Sequence, residues 1–402
     1  MDIPSPPTLT ESSRAVLRLL ATRGPITRPQ LGAILDLSKP TMSAAVSELS
    51  AMGLVASFGS HKGALGRTAV IYGLGPAAGY AVGIDVGEAQ VRAVAHTLDD
   101  LPLATIEEQI PRRQRGSIEG VGEVIASVAR AAMLAVGDKH GSPRTVAVAV
   151  PRIVSQHHLG QNKRRSPEAI LQQLRNWLEV PVILENNVNC AALGELHYGA
   201  GKSHDVFAYL QVGVRIGLGI VINGRLFRGF NGAAGEIGRL PFPWTSSEIP
   251  TREGLEHYLG SNALIRRCTE DWPEEEGPPP VSAKELFAWA EEGLPRAQKW
   301  VARHAADIGR LVAACIGMVD PGLIVLGGGV GQNPLVLKEV QRVARELTWA
   351  ADIAVSALGP GATALGATRL AAEYALGLIL GETNRSLVVL PSLRAAERDE
   401  AV

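Results

Sequence analysis

The sequence predicts an α/β chain in which a small helical module precedes a larger domain built from two similar halves. The first 75 residues show three short helical patterns, followed by two strand patterns with glycines between them. Residues 79–100 have the order strand, glycine turn, strand, and residues 206–229 repeat it. A further strand followed by a glycine triplet lies at 320–332. Two copies of one hairpin, each followed by helices, indicate a duplicated α/β architecture.

The composition is typical of a folded chain with little net charge. The 402 residues are 46% hydrophobic and carry a net charge of −1, which supports two or three domains without bulk attraction to nucleic acid or membrane. Residues 1–76 nevertheless hold a modest basic surplus. Three scattered cysteines form no CxxC pair, and no segment resembles a secretion signal or a transmembrane helix. We therefore expect a cytoplasmic protein.

The N-terminal helices are recognised by their ends. The first, at 11–23, stops at Gly24, and the second begins after Thr27 with Pro29 in its first turn. Ser38 caps the third helix. One face of that helix is apolar, and the other carries mostly short side chains that fit close to base edges and phosphates.

Two strand patterns, 54–58 and 68–74, enclose a basic, glycine-rich loop. With the three helices they predict a winged helix-turn-helix domain over 1–76, in which the third helix contacts DNA and the loop is the wing. A helical bundle that binds proteins would also expose a polar face, and it is the alternative. The predicted DNA-binding residues are Arg28, Lys39, Thr41, Ser43, Ala44, Ser47, Lys62 and Arg67.

The larger domain resembles the ROK family of repressors, open reading frames and sugar kinases. ENNVNCAALGE at 185–195 and AGEIG at 234–238 carry the resemblance, which runs from about 78 to 380, and the LGRT turn resembles the wing of ROK regulators. It implies the actin-like, ribonuclease H-like duplicated sugar-kinase fold. The implied parts are lobe 1 over 77–190, completed by about 360–385, lobe 2 over 191–359 with most of the dimer surface, and a polar tail over 386–402.

Three departures from the family pattern argue against sugar phosphorylation. The family's kinases have an Asp at the position of Asn187, where it takes the proton from the sugar hydroxyl, and an amide has no usable basicity at neutral pH. Glu88 places a carboxylate in the first phosphate turn, and Arg215 places a large side chain in the second. We therefore predict no enzyme activity, no catalytic residue and no cofactor.

The resemblance also bears on metal and effector. Arg239 replaces a zinc-ligating His of the family and the following loop has no Cys, so no metal is expected. Two outcomes stay open for the cleft: its arginines pair with its glutamates and fill it, or they bind an anion such as a sugar phosphate or sugar acid. The candidate effector residues are Arg152, Asn186, Asn187, Glu236, Arg239 and Glu256.

Taken together, the residues and the resemblance predict a ROK-family transcriptional regulator, specifically a repressor. Its expected partners are double-stranded operator DNA, further copies of itself in a dimer or tetramer, and a sugar or sugar phosphate effector. A dimer is expected because one recognition helix contacts too few base pairs for useful specificity. The alternatives are a sugar kinase with an appended DNA-binding module and a protein-interaction scaffold without either activity.

Overall fold

The computed structural model describes residues 9–62, 68–115, 118–154, 178–243, 249–382 and 387–390. The chain divides into two compact units, unit 1 with Met1–Asn187 and Ala367–Val402, and unit 2 with Val188–Gly366. The predicted wing residue Arg67 and residues 391–402 of the predicted tail lie outside the described residues, as does the side chain of Lys62.

The N-terminal module lies within unit 1 and has the predicted capped helices. Gly24, at φ 71°, ends the first helix, and Thr27 and Gln30 form a reciprocal capping box at the second. A two-residue strand that the sequence did not predict joins the sheet, whose described strands are antiparallel in the order β1-β3-β2. The elements are α1 (Glu11–Arg23), β1 (Ile26–Thr27), α2 (Arg28–Leu35), α3 (Lys39–Ala51), β2 (Val55–Lys62) and β3 (Thr68–Leu74).

The rest of unit 1 is an α/β lobe around one sheet. Its described strands have the order β14-β8-β7-β4-β5-β6, in which β4, β7 and β8 are parallel. Helix α4 contacts β4, β5 and β6, and the buried core is rich in Val, Ile and Ala. The elements are β4 (Tyr80–Val86), β5 (Gln90–Thr97), β6 (Pro102–Gln109), α4 (Ile118–Val136), β7 (Pro143–Val150), β8 (Val182–Asn186) and, near the end of the chain, β14 (Val388–Leu390).

Unit 2 has a five-stranded sheet in its described part, with the order β11-β10-β9-β12-β13. Helix α9 (Pro295–Val319) packs along α11 (Pro334–Leu347), where Gly309 allows close approach to Val343. The elements are α5 (Asn187–Tyr198), β9 (Phe207–Val212), β10 (Ile216–Ile222), β11 (Arg225–Leu226), α6 (Gly254–Leu259), α7 (Ser261–Glu270), α8 (Ala283–Glu291), α9 (Pro295–Val319), β12 (Leu323–Gly327), α10 (Gly328–Gly331), α11 (Pro334–Leu347), β13 (Asp352–Val355) and α12 (Ala362–Leu380), which continues into unit 1.

The two sheets repeat one strand pattern. In unit 1, the antiparallel neighbours β6, β5 and β4 are followed by the parallel strands β7 and β8. In unit 2, β11, β10 and β9 are antiparallel and β12 and β13 continue in parallel. The duplication that the two hairpins predicted is thus present in complete five-strand sets.

One boundary needs correction. Residues 386–402 were predicted to be a polar tail, but Val388–Leu390 form β14, which pairs antiparallel with β8 in the register Val388↔Leu184. Leu387 and Val388 are buried. The short apolar run closes one edge of the sheet of unit 1, because an apolar segment gains by covering a strand that would otherwise be an open edge.

Candidate nucleic-acid interface and ligand-binding residues

The third helix presents one continuous exposed face. The Ser38 side chain accepts a hydrogen bond from the backbone N–H of Thr41, which caps the N-terminus, and Met42, Val46 and Leu49 are buried against the module's core. Four predicted contact residues lie on the other side and are exposed, and a fifth, Ser43, is half-buried. The exposed four are Lys39, Thr41, Ala44 and Ser47. Short side chains here allow the helix backbone to approach a DNA groove closely.

Glu48 holds the C-terminal half of this helix against α1. Its carboxylate accepts hydrogen bonds from the backbone N–H of Thr10 at 3.2 Å, the Thr10 hydroxyl at 2.8 Å and the Ser13 hydroxyl at 2.7 Å. The Ser13 hydrogen bond is the main reason that the pKa of Glu48 is lowered. The carboxylate therefore positions α3 relative to α1, a role that its place on a helix surface did not indicate.

Arg28 does not point freely outward. Its guanidinium donates to the Tyr72 hydroxyl at 2.6 Å, approaches the Ser43 hydroxyl at 3.4 Å and lies 5.0 Å from the centre of the Tyr72 ring. The sequence predicted Arg28 as a DNA contact and did not single out Tyr72. Only the pairing of β3 with β1, in the register Ile26↔Tyr72, places the two side chains together.

In unit 1, the carboxyl ends of the parallel strands bring the candidate residues to one sheet edge, the usual location of ligand sites in α/β sheets. Asn186, at the end of β8, donates its side-chain amide to the Arg152 carbonyl oxygen at 3.0 Å, and Asn187 begins α5. Arg152 is exposed, whereas Asn186 is 9% exposed. The Asn186 side chain therefore contacts the backbone of Arg152, and Asn187 is the next residue in the chain.

The first glycine turn, between β4 and β5, lies at the same edge. Asp85 is paired in register with Arg92 of β5, and Glu88 in the turn is exposed. Burial raises the pKa of Asp85 to about 6, and the nearby Arg92 opposes the rise. A phosphate at this turn would meet the exposed Glu88 carboxylate, which would repel it.

In unit 2, the corresponding turn connects β9 and β10. Val214 and Arg215 are exposed there, and the backbone N–H of Ile216 donates to the Glu256 carboxylate at 3.2 Å. Gly260 packs so closely that a side chain would approach the Val214 carbonyl oxygen to 2.8 Å. Glu256 thus joins the start of α6 to the second glycine turn.

Arg239 has acidic partners in unit 2. Its Nε is 3.1 Å from the Glu236 carboxylate, and a terminal nitrogen is 3.8 Å from Glu253. The Arg239 side chain is 56% exposed, so these ion pairs are largely solvated. The structure pairs Arg239 with Glu236 but not with Glu256, whose carboxylate accepts the Ile216 N–H. Unit 1 holds Arg152, Asn186 and Asn187, and unit 2 holds Glu236, Arg239 and Glu256.

The glycine triplet after β12 allows very close backbone packing. A side chain at Gly327 would collide with the Tyr209 hydroxyl, and Gly328, at φ 79°, would meet the Val212 carbonyl oxygen. The backbone therefore requires glycine at Gly328 for its left-handed conformation and at Gly327 for space. Gly327 and Gly328 therefore have a structural reason that is independent of any nucleotide, whereas Gly329 has open space around it.

Glu195, the last residue of the ENNVNCAALGE segment, has a structural role. Glu195 is fully buried in unit 2 and accepts the Ser356 hydroxyl at 2.5 Å, the Ala200 N–H at 2.8 Å and the Leu358 N–H at 3.2 Å. These bonds tie the end of α5 to the loop that follows β13. A buried carboxylate with several donors stabilises a fixed backbone arrangement and needs no ligand.

The described part of the chain shows neither a metal-binding cluster nor a membrane-spanning helix. No group of three or more His, Cys, Asp or Glu residues there could hold a metal ion. None of the helices there is both long and apolar enough to cross a membrane.

A winged module with an exposed recognition helix, joined to a duplicated kinase-like α/β domain, defines a class of DNA-binding regulators related to sugar kinases. Residues 81–374 match the ROK family and residues 8–61 match the MarR family. The chain belongs to the ROK family, and its N-terminal module makes it a transcriptional regulator.

The similar proteins include both regulators and kinases. The xylose repressor of Bacillus subtilis (strain 168) is 23% identical over 392 residues, covering 92% of this chain and 96% of the repressor. The glucokinase of Streptomyces coelicolor is 25% identical over 324 residues, 73% of this chain and 98% of the enzyme. The repressor alignment thus spans more of this chain than the glucokinase alignment does.

Solved structures show the same division. A ROK family transcriptional regulator, a homologue of the Escherichia coli MLC protein, superposes with a TM-score of 0.71 at 19% identity and covers 92% of this chain and 97% of its own. The ROK hexokinase from Thermus thermophilus gives a TM-score of 0.59 at 29% identity and covers 73% and 97%. The likeness to the regulator supports the fold of the whole chain, including the winged module.

Proposed function

We propose that this ROK-family regulator is a cytoplasmic repressor that binds operator DNA and does not phosphorylate sugars. The exposed face of α3, where Lys39 lies beside the short side chains of Thr41, Ala44 and Ser47, is the observation that most supports DNA binding. The full-length similarity to proteins named xylose repressors supports repression rather than activation.

The absence of kinase activity belongs to the proposal because ROK kinases are also among the relatives. Asn187 cannot act as a general base. Glu88 and Arg215 are exposed in the two turns that would have to hold phosphate. A kinase with an appended DNA-binding module is the competing function, and the similarity of residues 81–374 to the ROK family as a whole favours it.

The kinase-like part would then serve assembly and sensing. A dimer would place two recognition helices about 34–36 Å apart, or a multiple of that distance, on two half-sites of an operator. We expect unit 2 to provide most of the contact between copies, and sedimentation of the full chain, free and with DNA, would give the stoichiometry.

We propose that the effector contacts the candidate residues predicted from the sequence, which are Arg152, Asn186, Asn187, Glu236, Arg239 and Glu256. Arg239 is already paired with Glu236, so a neutral sugar would leave no unneutralised guanidinium at that position. Neutral sugars are therefore candidates beside anionic ones. The panel is glucose, N-acetylglucosamine, glucose 6-phosphate and gluconate, with xylose added because relatives are named xylose repressors. A ligand bound in the folded state raises the melting temperature as its concentration exceeds its Kd, so thermal-shift titration with these five ranks them.

Two assays test the function directly. Selection from a randomised duplex library should yield a common DNA sequence with the full chain and none with a variant that lacks residues 1–76. ATP turnover with the same sugar panel should stay at background. A deletion variant that still selects the same sequence would disprove the DNA-binding assignment, and sugar-dependent ATP turnover would favour the kinase.

A further inference from the structure

The guanidinium of Arg28 is held by neutral groups inside the winged module. Arg28 is the first residue of α2, a position from which a side chain could reach a phosphate, yet it turns toward the sheet. It donates to the Tyr72 hydroxyl at 2.6 Å and stacks against the Tyr72 ring at 5.0 Å. Its Nε is buried and makes no hydrogen bond among the described residues.

These contacts join three elements at one point. Tyr72 belongs to β3, the central strand of the described sheet, and faces Ile26 of β1 and Ser57 of β2 in register. Ser43, 3.4 Å from Arg28, belongs to the N-terminal half of α3. That half of a recognition helix contacts the bases, so an error in its position acts directly on base recognition.

The two ends of α3 are therefore fixed by different groups. Glu48 attaches the C-terminal half to α1 through Thr10 and Ser13. Arg28 and Tyr72 lie beside the N-terminal half and connect it to the strand that leads out of the wing. Removing the Arg28–Tyr72 bond would leave the core of α3 intact but free its N-terminal half to shift against the sheet.

We propose that Arg28 and Tyr72 form a positioning pair that sets the angle between the recognition helix and the wing strand, and that Arg28 is not a phosphate contact. The inference rests on DNA binding by this module. It assigns sequence discrimination, rather than general affinity for DNA, to a residue that does not touch a base.

Two conservative variants separate positioning from phosphate contact. Arg28→Lys keeps the positive charge, and a lysine contacts a phosphate well as a point charge, but it cannot donate to Tyr72 and stack on its ring in the same geometry. Tyr72→Phe removes only the hydroxyl and keeps the ring and all charges. A phosphate contact tolerates both changes, whereas a positioning pair tolerates neither.

The probes are a duplex enriched from a randomised 30-base-pair library by the wild-type full chain and a scrambled duplex of equal composition. We expect each variant to bind the enriched duplex about tenfold more weakly, a change of ~1.4 kcal/mol. Binding to the scrambled duplex and the log–log salt slope should remain unchanged. The double variant should lose no more than either single variant, because both break one interaction.

Arg23→Lys is the matched control, because Arg23 is exposed at the end of α1. This variant should bind both duplexes like the wild type. Melting temperatures of all variants show whether weaker binding reflects unfolding, and a merely structural role would lower them without changing the ratio of the two affinities.

Wild-type binding by Arg28→Lys, or additive losses in the double variant, would overturn the positioning pair. A salt slope that falls by about one in Arg28→Ala, with Tyr72→Phe silent, would identify a phosphate contact instead. A wild-type chain that enriches no sequence would overturn the proposed function and this inference with it, whereas the other outcomes concern the inference alone.

Discussion

At the scale of single residues, Asn187 shows how one atom changes the available chemistry. It begins α5 directly after the end of β8, where the family's kinases have a general base. Replacing the amide nitrogen by oxygen would restore basicity at this position. It would not change the turns that carry Glu88 and Arg215, both exposed between their strands.

We therefore predict that Asn187→Asp produces no sugar-dependent ATP turnover. The expected rate is the background of the wild-type chain, measured with ATP and the five-sugar panel in a coupled assay. A triple variant with Glu88→Gly and Arg215→Gly is the informative companion, because it repairs both phosphate turns. Activity in the single variant would show that the turns already accept phosphate.

His304 is a second residue with a measurable consequence. It is fully buried on α9, and neither ring nitrogen has a hydrogen-bond partner among the described residues. Burial, with a contribution from the positive charge of Arg267, lowers the pKa of His304 to about 3. The unfolded chain takes up a proton near pH 6.5 while the folded chain does not, so stability is lost as the pH falls below that value.

His304→Met should accordingly stabilise unit 2 at pH 7 by about 1–3 kcal/mol, because it removes two unsatisfied polar atoms. The wild type should lose up to ~1.4 kcal/mol per pH unit between about 6.5 and 3, and the variant should lack this component. Urea unfolding at pH 7.5 and 5.0 measures both effects. His257→Met, at an exposed position on α6, is the control, and equal pH dependence in wild type and His304→Met would contradict the assignment.

At the scale of elements, the Glu48 contacts make the packing of α3 on α1 depend on pH. The hydrogen bonds from Ser13 and Thr10 lower the pKa of Glu48 in the folded chain. The stabilisation is present above the pKa of an unfolded glutamate and is lost as the pH falls through the lower, folded value.

Glu48→Gln should lower the free energy of unfolding of the winged module by about 1 kcal/mol at pH 7, since the charged acceptor becomes a neutral one. Near pH 3 the two proteins should be equally stable. Calorimetry of the full chain at both pH values measures the difference. Glu270→Gln, exposed at the end of α7, should change neither value, and an equal loss at pH 3 would mean that the charge of Glu48 is irrelevant.

The elements that the sequence predicted best are those whose ends are marked by local chemistry. Gly24, Thr27 and Ser38 act on their own helices, so a single sequence contains all the information needed to place those helix ends. Strand β1 escaped prediction because a two-residue strand has no period, and it exists through its pairing with Tyr72 and Ile71. The partners of Arg28 and Glu48 escaped for the same reason, since they lie 44 and 38 residues away.

At the scale of the whole molecule, the duplicated architecture could be predicted from the sequence, but the additional strand β14 could not. The hairpins at 79–100 and 206–229 repeat a local pattern of strands and glycines. Strand β14 is three residues long and pairs with β8 across about half of the chain. A run of four apolar residues, 387–390, in a polar neighbourhood gives no local sign of such a partner, so the predicted tail began too early.

The N-terminal module is attached to the lobe of unit 1 by backbone packing around a short turn. The turn at Pro76–Ala78 follows β3, and Gly79, at φ 72°, leads into β4. Arg144 of β7 donates to the carbonyl oxygens of Ala77 and Ala78, the latter at 3.2 Å. A second contact is the ion pair between Arg18 of α1 and Glu382 after α12. Both ends of this pair are about half exposed, so we expect the Arg144 contacts to contribute more.

Arg144→Ala should therefore loosen the connection between the module and the lobe. Hydrogen bonds from a charged donor contribute about 1.5–3 kcal/mol, which corresponds to a local opening that is roughly 10–100 times more populated. Limited proteolysis with a protease of broad specificity should cleave the variant faster by about that factor, and mass spectrometry should place the cut near residues 75–79.

Arg130→Ala is the control, because Arg130 is exposed and, among the described residues, bonds only to the Ala126 carbonyl of its own helix. Equal cleavage rates in wild type and Arg144→Ala would mean that the module is held to the lobe mainly by other contacts, and an equal rise in Arg130→Ala would point to a general loss of stability instead.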